Sequence, residues 1–187
     1  MAYPWRLIET VFIVVDLDNS EFEEAKKMVV LEGIAMSFWL LLVCVVGIAN
    51  GPVGLVVLYE QDVKDRVIEL GLTTPEKMKK SAILTGLALF IPVLIVVPIL
   101  VYFVNGARGF WDGFTQMACI YLIMNLFDRL FIDWYWVGHT KAWEIEGTED
   151  LKPYIPKKAF IRKWLGTIVV FPLLTAIIAF VFHLFGM

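Results

Sequence analysis

The sequence predicts an all-α integral membrane protein, a four-helix bundle with short interfacial and cytoplasmic amphipathic helices. Composition is the first reason: of 187 residues, 59% are hydrophobic and 19% charged, whereas soluble domains carry roughly 25% charge and 45–50% apolar residues. The second is a set of apolar runs near the length of about 20 residues that a helix needs to cross hydrocarbon. The third is the punctuation of those runs, with turn residues and charged stretches between them. No extended basic face accompanies the net charge of -3, which argues against a nucleic-acid partner.

Residues 1–32 read as an N-terminal interfacial segment. Arg6, a short apolar stretch from Val11 to Val15 and then Asp16, Asp18 and Glu21 do not make a secretory signal, because a small-residue cleavage site is missing. The segment is therefore expected to be retained. Trp5, Leu7, Ile8, Val11, Phe12 and Val15 can share one apolar face lying in the bilayer interface; a short strand or irregular segment is the other reading. Ser20-x-x-Glu23 has the spacing of a capping box and predicts a helix start.

The first span is expected over 33–59, which holds no charge. Asn50-Gly51-Pro52 interrupts it, and proline removes a helix hydrogen bond. A single kinked span is the leading expectation, and a span ending near Ile48 with a re-entrant piece is the other. Residues 60–80 form a polar loop. Within it Val63, Val67, Ile68 and Leu70 alternate with charges as in a short amphipathic helix, ended by Gly71. Thr73-x-x-Glu76 with Pro75 predicts a second helix start, running into a span over 81–104. Pro92 and Pro98 should bend that span, with neighbouring helices satisfying the freed carbonyls. Asn105 to Gly109 is a turn, and the third span covers 113–137. A second polar loop, 138–164, holds Thr148 as a cap before Glu149 and Asp150. The fourth span covers 165–185 and carries Pro172.

Four spans put both termini on one side. The two loops share the other side and hold eleven Lys and Arg, against Arg6, Lys26, Lys27 and Arg108 opposite. Positive residues accumulate on the cytoplasmic side, so the loops are expected there and both termini outside.

The most informative stretch is Asn125 to His139, NLFDRLFIDWYWVGH, at the end of the third span. Ionisable groups are rare in hydrocarbon and usually pair or face a cavity. On an α-helix, Asn125, Asp128, Arg129, Asp133, Trp136 and His139 occupy one face about 140° wide. Asp128 lies roughly 22 Å beyond Gly113, in the inner third of the bilayer. Trp134, Tyr135 and Trp136 suit the aromatic belt at its edge.

Two readings of the cluster stand. In the structural one, Arg129 bridges the two aspartates and His139 sits among headgroups. In the functional one, the six residues line a ligand site open to the cytoplasm. Arg129 would then hold an anion or fix the carboxylates, Asp128 or Asp133 would bind a cation or carry a proton, and His139 would titrate near neutral pH. No metal or cofactor is expected. Asp128 and His139 are about 16 Å apart along a helix, and no HExxH, phosphate loop or GxSxG accompanies them.

Other features read more plainly. Cys44 and Cys119 are expected to be packing residues, and His183 an interfacial residue at the outer end of the fourth span. Lys152, Lys157, Lys158, Arg162 and Lys163 read as the ordinary positive-inside signal, or as contacts to anionic headgroups.

The runs DRLFIDWYWVGHTKAW and GTEDLKPYIPK resemble a group of small bacterial polytopic membrane proteins, over about Glu60 to Trp164. The resemblance implies a bacterial plasma membrane and brings no activity with it. Three functions remain in view. The first is binding or moving an ion or small polar solute at the third-span cluster, with a homo-oligomer, by default a dimer, completing any path. The second is an enzyme acting on a lipid or apolar substrate at the cytoplasmic interface, with an aspartate or His139 as acid/base. The third is an accessory subunit of a larger membrane complex.

Overall fold

The computed structural model describes the backbone from Trp5 onward, and the side chains of Glu24 and of all residues from Lys26. The apolar face expected from Trp5 to Val15 lies outside the described side chains. Among the described residues every regular element is helical. Four helices are long and apolar enough to cross a membrane: Lys26–Ile48, Pro75–Val104, Gly109–Val137 and Lys157–Leu184. These are spans one to four below.

The backbone is one continuous helix from Trp5 to Ile48, so no helix begins at Ser20. Span one ends at Ile48 and does not continue, kinked, to Tyr59. Gly51 adopts φ 104°, a conformation glycine reaches without a Cβ clash, and its N–H bonds the Ile48 carbonyl at 2.8 Å. Pro52 then opens a separate 3-10 segment, Pro52–Leu58. The short helix Gln61–Glu69 follows as expected, burying Val63 and Val67. The cap of span two is Thr74, not Thr73: its side chain accepts from the Lys77 N–H. Pro75 occupies the first helical position, which makes the residue before it the cap.

Span two passes both interior prolines without breaking. The turns Pro92–Val96 and Leu100–Val104 widen to π geometry. Pro92 cannot donate to the Ala88 carbonyl four residues back, and the Trp39 indole of span one does so at 2.9 Å. Across the π-turn the partner register is five residues, so Pro98 leaves the Val93 carbonyl open. The Tyr121 hydroxyl of span three donates to it at 2.6 Å. Each bend is thus held by a side chain from a neighbouring span.

Span three is central, packed against spans one and four. One apolar core joins Met36, Val97, Val101, Met117, Tyr121 and Ala179. Gly33 lets spans one and three approach, since a Cβ there would meet Ile123 Cδ1 at 2.8 Å.

The second core lies at the loop end. The polar segment after span three folds back, burying Trp143, Ile145 and Tyr154 against Val56, Tyr59, Val63 and Val67. Tyr59 donates to the Trp143 carbonyl at 2.7 Å, and burial raises its phenol above the ordinary range. Arg66 grips both carboxylate oxygens of Asp150 at 3.2 Å. The Thr148 side chain does not cap the following turn. It is fully buried, and its hydroxyl donates to the Ile145 carbonyl and meets the Tyr154 hydroxyl. Span four starts at Lys157, eight residues before the expected 165. That early start makes Lys163 helical and brings it to Asp133 of span three.

Candidate charged cavity of spans three and four

The last ten residues of span three, Asp128–Val137, are wound as a π-helix. Residues five apart then stand nearly one above the other, because the backbone bonds i to i+5. Asp128 and Asp133 are five apart, so the winding aligns two carboxylates that an α-helix would separate by about 140°. Arg129 joins them. One terminal guanidinium nitrogen bonds Asp128 Oδ2 at 2.5 Å, and the other bonds Asp133 Oδ2. The second Asp133 oxygen accepts from Lys163 Nζ of span four at 2.5 Å.

Two negative and two positive side chains therefore form one neutral cluster across two spans. Arg129 and Asp133 are buried, whereas Asp128 and Lys163 are half-buried. The satisfaction is uneven. Asp133 uses both oxygens, while among the described residues Asp128 uses only one. Arg129 Nε is buried without a partner.

All four charges line a cavity of about 240 Å³. Leu40, Val43 and Cys44 of span one and Leu89 of span two close it on the apolar side, with Tyr59, Trp143 and Tyr154 beneath. A larger outer cavity of about 590 Å³ lies at the loop end and shares Asp133, Val137, Tyr154 and Ile155 with the inner one. Across its rim Lys152 pairs with Glu144 at 2.7 Å, which raises the lysine's pKa through that hydrogen bond.

Of the six residues expected on one face, Asp128, Arg129 and Asp133 reach the inner cavity. Asn125 is buried beyond it, donating to the Tyr121 carbonyl and accepting from Thr167 of span four at 3.3 Å. Trp136 lies outside, edge-on to Trp143 with centroids 5.2 Å apart. His139 is absent from the inner cavity and lines the outer one. It is exposed, with Nδ1 2.6 Å from the Trp134 carbonyl and its ring packed against that indole. The π winding explains this, since it carries the last residues of the span away from the α-helical face.

Lys163 completes the cluster but reads from sequence as part of a loop signal. Its spacing from Thr167, one turn on, was the available hint, because both reach span three. His183 stands exposed at the far end of span four. Cys44 is buried and Cys119 exposed, both as free thiols. Among the described residues no three His, Cys, Asp or Glu side chains gather as a metal would require.

Comparison with family models, curated proteins and solved structures finds no match to this chain. Function must therefore be argued from the cavity itself.

Proposed function

We propose that the protein binds, and moves, an ion or small polar solute at the inner cavity. Asp128 is the acceptor, and Arg129, Asp133 and Lys163 are its fixed electrostatic frame. One observation carries this reading: among the described residues Asp133 uses both carboxylate oxygens and Asp128 only one, and the Asp128 side chain, which lines the cavity, is 21% exposed. A carboxylate oxygen that the ion network leaves open to the cavity can accept a cation, a proton or a polar donor without breaking that network. A group left open inside a membrane helix is by default a ligand or proton site.

The route in is the outer cavity, whose wall is shared with the inner one at Asp133 and Tyr154. By the excess of positive residues, that mouth faces the cytoplasm of a bacterial cell and both termini face outward.

The test is native mass spectrometry of the full chain in mild detergent, wild type against Asp128→Asn, followed by proton and sodium flux in proteoliposomes. The expected result is a retained species, or a flux, that the folded variant loses. Identical particles with identical fluxes in both would overturn the proposal.

A further inference from the structure

A second groove lies between spans one and two at the loop end, of about 550 Å³ and sharing only Val43 with the charged cavity. Its walls are apolar: Leu42 and Val46 of span one, Leu84 of span two, and Leu55 of the 3-10 segment. Leu42, Val46 and Leu84 are exposed on the bundle surface, where hydrocarbon surrounds them. At one end of the groove stand Lys77 and Lys80, with Ser81 beside them. At the other end Trp39 closes it, locked to the Ala88 carbonyl at 2.9 Å.

The two lysines are the decisive feature. They stand three residues apart and therefore share a helix face. Among the described residues neither forms an ion pair, and no acidic side chain lines the groove. Four other cations at this end of the bundle are committed to carboxylates. Arg66 holds Asp150, Lys152 holds Glu144, Arg162 holds Glu60 and Lys163 holds Asp133. From Lys80 to Ala88 the helix rises about 12 Å, so two positive charges cap an apolar trough of that length.

We propose that this groove binds one anionic diacyl lipid. Its phosphate sits between Lys77 and Lys80, and one acyl chain lies along Leu84 and Val46 down to Trp39. Charge complementarity selects the headgroup. The apolar walls select a chain-bearing ligand over a soluble phosphate. The second acyl chain stays in the bilayer, because the groove is open on that side.

The experiment is lipid titration of the full chain, read by native mass spectrometry, with phosphatidylglycerol as probe. Phosphatidylcholine and glycerol 3-phosphate serve as comparison ligands. Three variants are compared with wild type: Lys77→Gln/Lys80→Gln, Lys157→Gln/Lys158→Gln, and Val46→Trp. All five positions are exposed, so the fold should survive, and a monodisperse particle verifies that.

At about 1 kcal/mol per lysine, the first pair should weaken phosphatidylglycerol binding about thirtyfold. The second pair should leave it within about twofold, and Val46→Trp should weaken it by filling the trough. Equal weakening by both lysine pairs would overturn the site in favour of diffuse attraction. Phosphatidylcholine binding as tightly would remove the headgroup's role, and glycerol 3-phosphate binding as tightly would remove the groove's. Phosphatidylglycerol binding unchanged by Val46→Trp would overturn the seating of the chain.

Discussion

Lys163 on span four donates to Asp133 on span three at 2.5 Å, an ion pair that ties two spans together inside the bundle. Asp133 is the hub, because Arg129 occupies its other oxygen. Removing the hub leaves Lys163 without its carboxylate and Arg129 with Asp128 alone, whereas removing Lys163 leaves Asp133 still paired with Arg129. Losing one partner of a buried pair costs about 3–5 kcal/mol. Asp133→Asn should therefore destabilise the bundle by about that much. The Lys163 side chain is 32% exposed and its head is partly solvated, so Lys163→Gln should cost nearer 1 kcal/mol. Denaturant titration in mixed micelles orders the two, and equal losses would deny Asp133 its central place.

The same cluster makes a second forecast. Arg129→Ala leaves Asp128 and Asp133 facing each other in low dielectric, repelling with only Lys163 to offset them. Replacing Asp128, Arg129, Asp133 and Lys163 together by apolar residues of similar size leaves no charge unpaired. Buried ion networks exchanged whole for hydrophobes are often neutral or stabilising. The quadruple variant should thus be more stable than Arg129→Ala while binding nothing at the cavity. Thermal unfolding followed by circular dichroism measures the first half. A quadruple variant less stable than the single one would sink the argument.

The sequence and the structure agree where composition decides and part where local winding does. Four spans, the amphipathic helix Gln61–Glu69 and the Arg129 bridge all follow from patterns of apolar and charged residues. On the assumption of 100° per residue His139 and Trp136 fall on the site face. The π winding of Asp128–Val137 breaks that assumption, and nothing in DRLFIDWYWV announces it beforehand. Lys163 escaped for another reason. Span four begins eight residues before its uncharged core, so a residue that resembles a loop cation is helical and faces inward. Burial of Trp143, Ile145 and Tyr154 was equally hidden, because a loop core built from residues far apart in sequence has no periodicity to read.

Tyr59 makes the loop layer sensitive to alkali. Its hydroxyl donates to the Trp143 carbonyl, and burial raises its pKa above the ordinary value of 10.0. The unfolded phenol ionises first, so above about pH 10 the unfolded state holds fewer protons than the folded one. Stability contributed by this group is complete below that pH and falls as pH rises through the folded pKa. Tyr59→Phe should lose about 1 kcal/mol at neutral pH from the missing hydrogen bond. It should also flatten the alkaline slope. Unfolding midpoints between about pH 8 and 11 test this, and an unchanged slope in the variant would assign the alkaline loss elsewhere.

The Tyr121 hydroxyl and the Val93 carbonyl supply the sharpest test of how span two keeps its bends. Proline at 98 withholds the N–H that would otherwise reach Val93 across the π-turn, and Tyr121 donates in its place at 2.6 Å. Tyr121 is almost fully buried, so water cannot substitute. Tyr121→Phe should cost about 1–3 kcal/mol, the penalty of an unsatisfied buried acceptor. Pro98→Ala restores a backbone donor four and five residues beyond Leu94 and Val93. In that background the turn can close on its own, and Tyr121→Phe should cost under about 0.5 kcal/mol. The difference is a coupling energy, measured by a double-mutant cycle on unfolding in micelles. Coupling near zero would mean that the hydroxyl and the proline merely coincide; a value above about 1 kcal/mol would mean that span three holds the bend in span two.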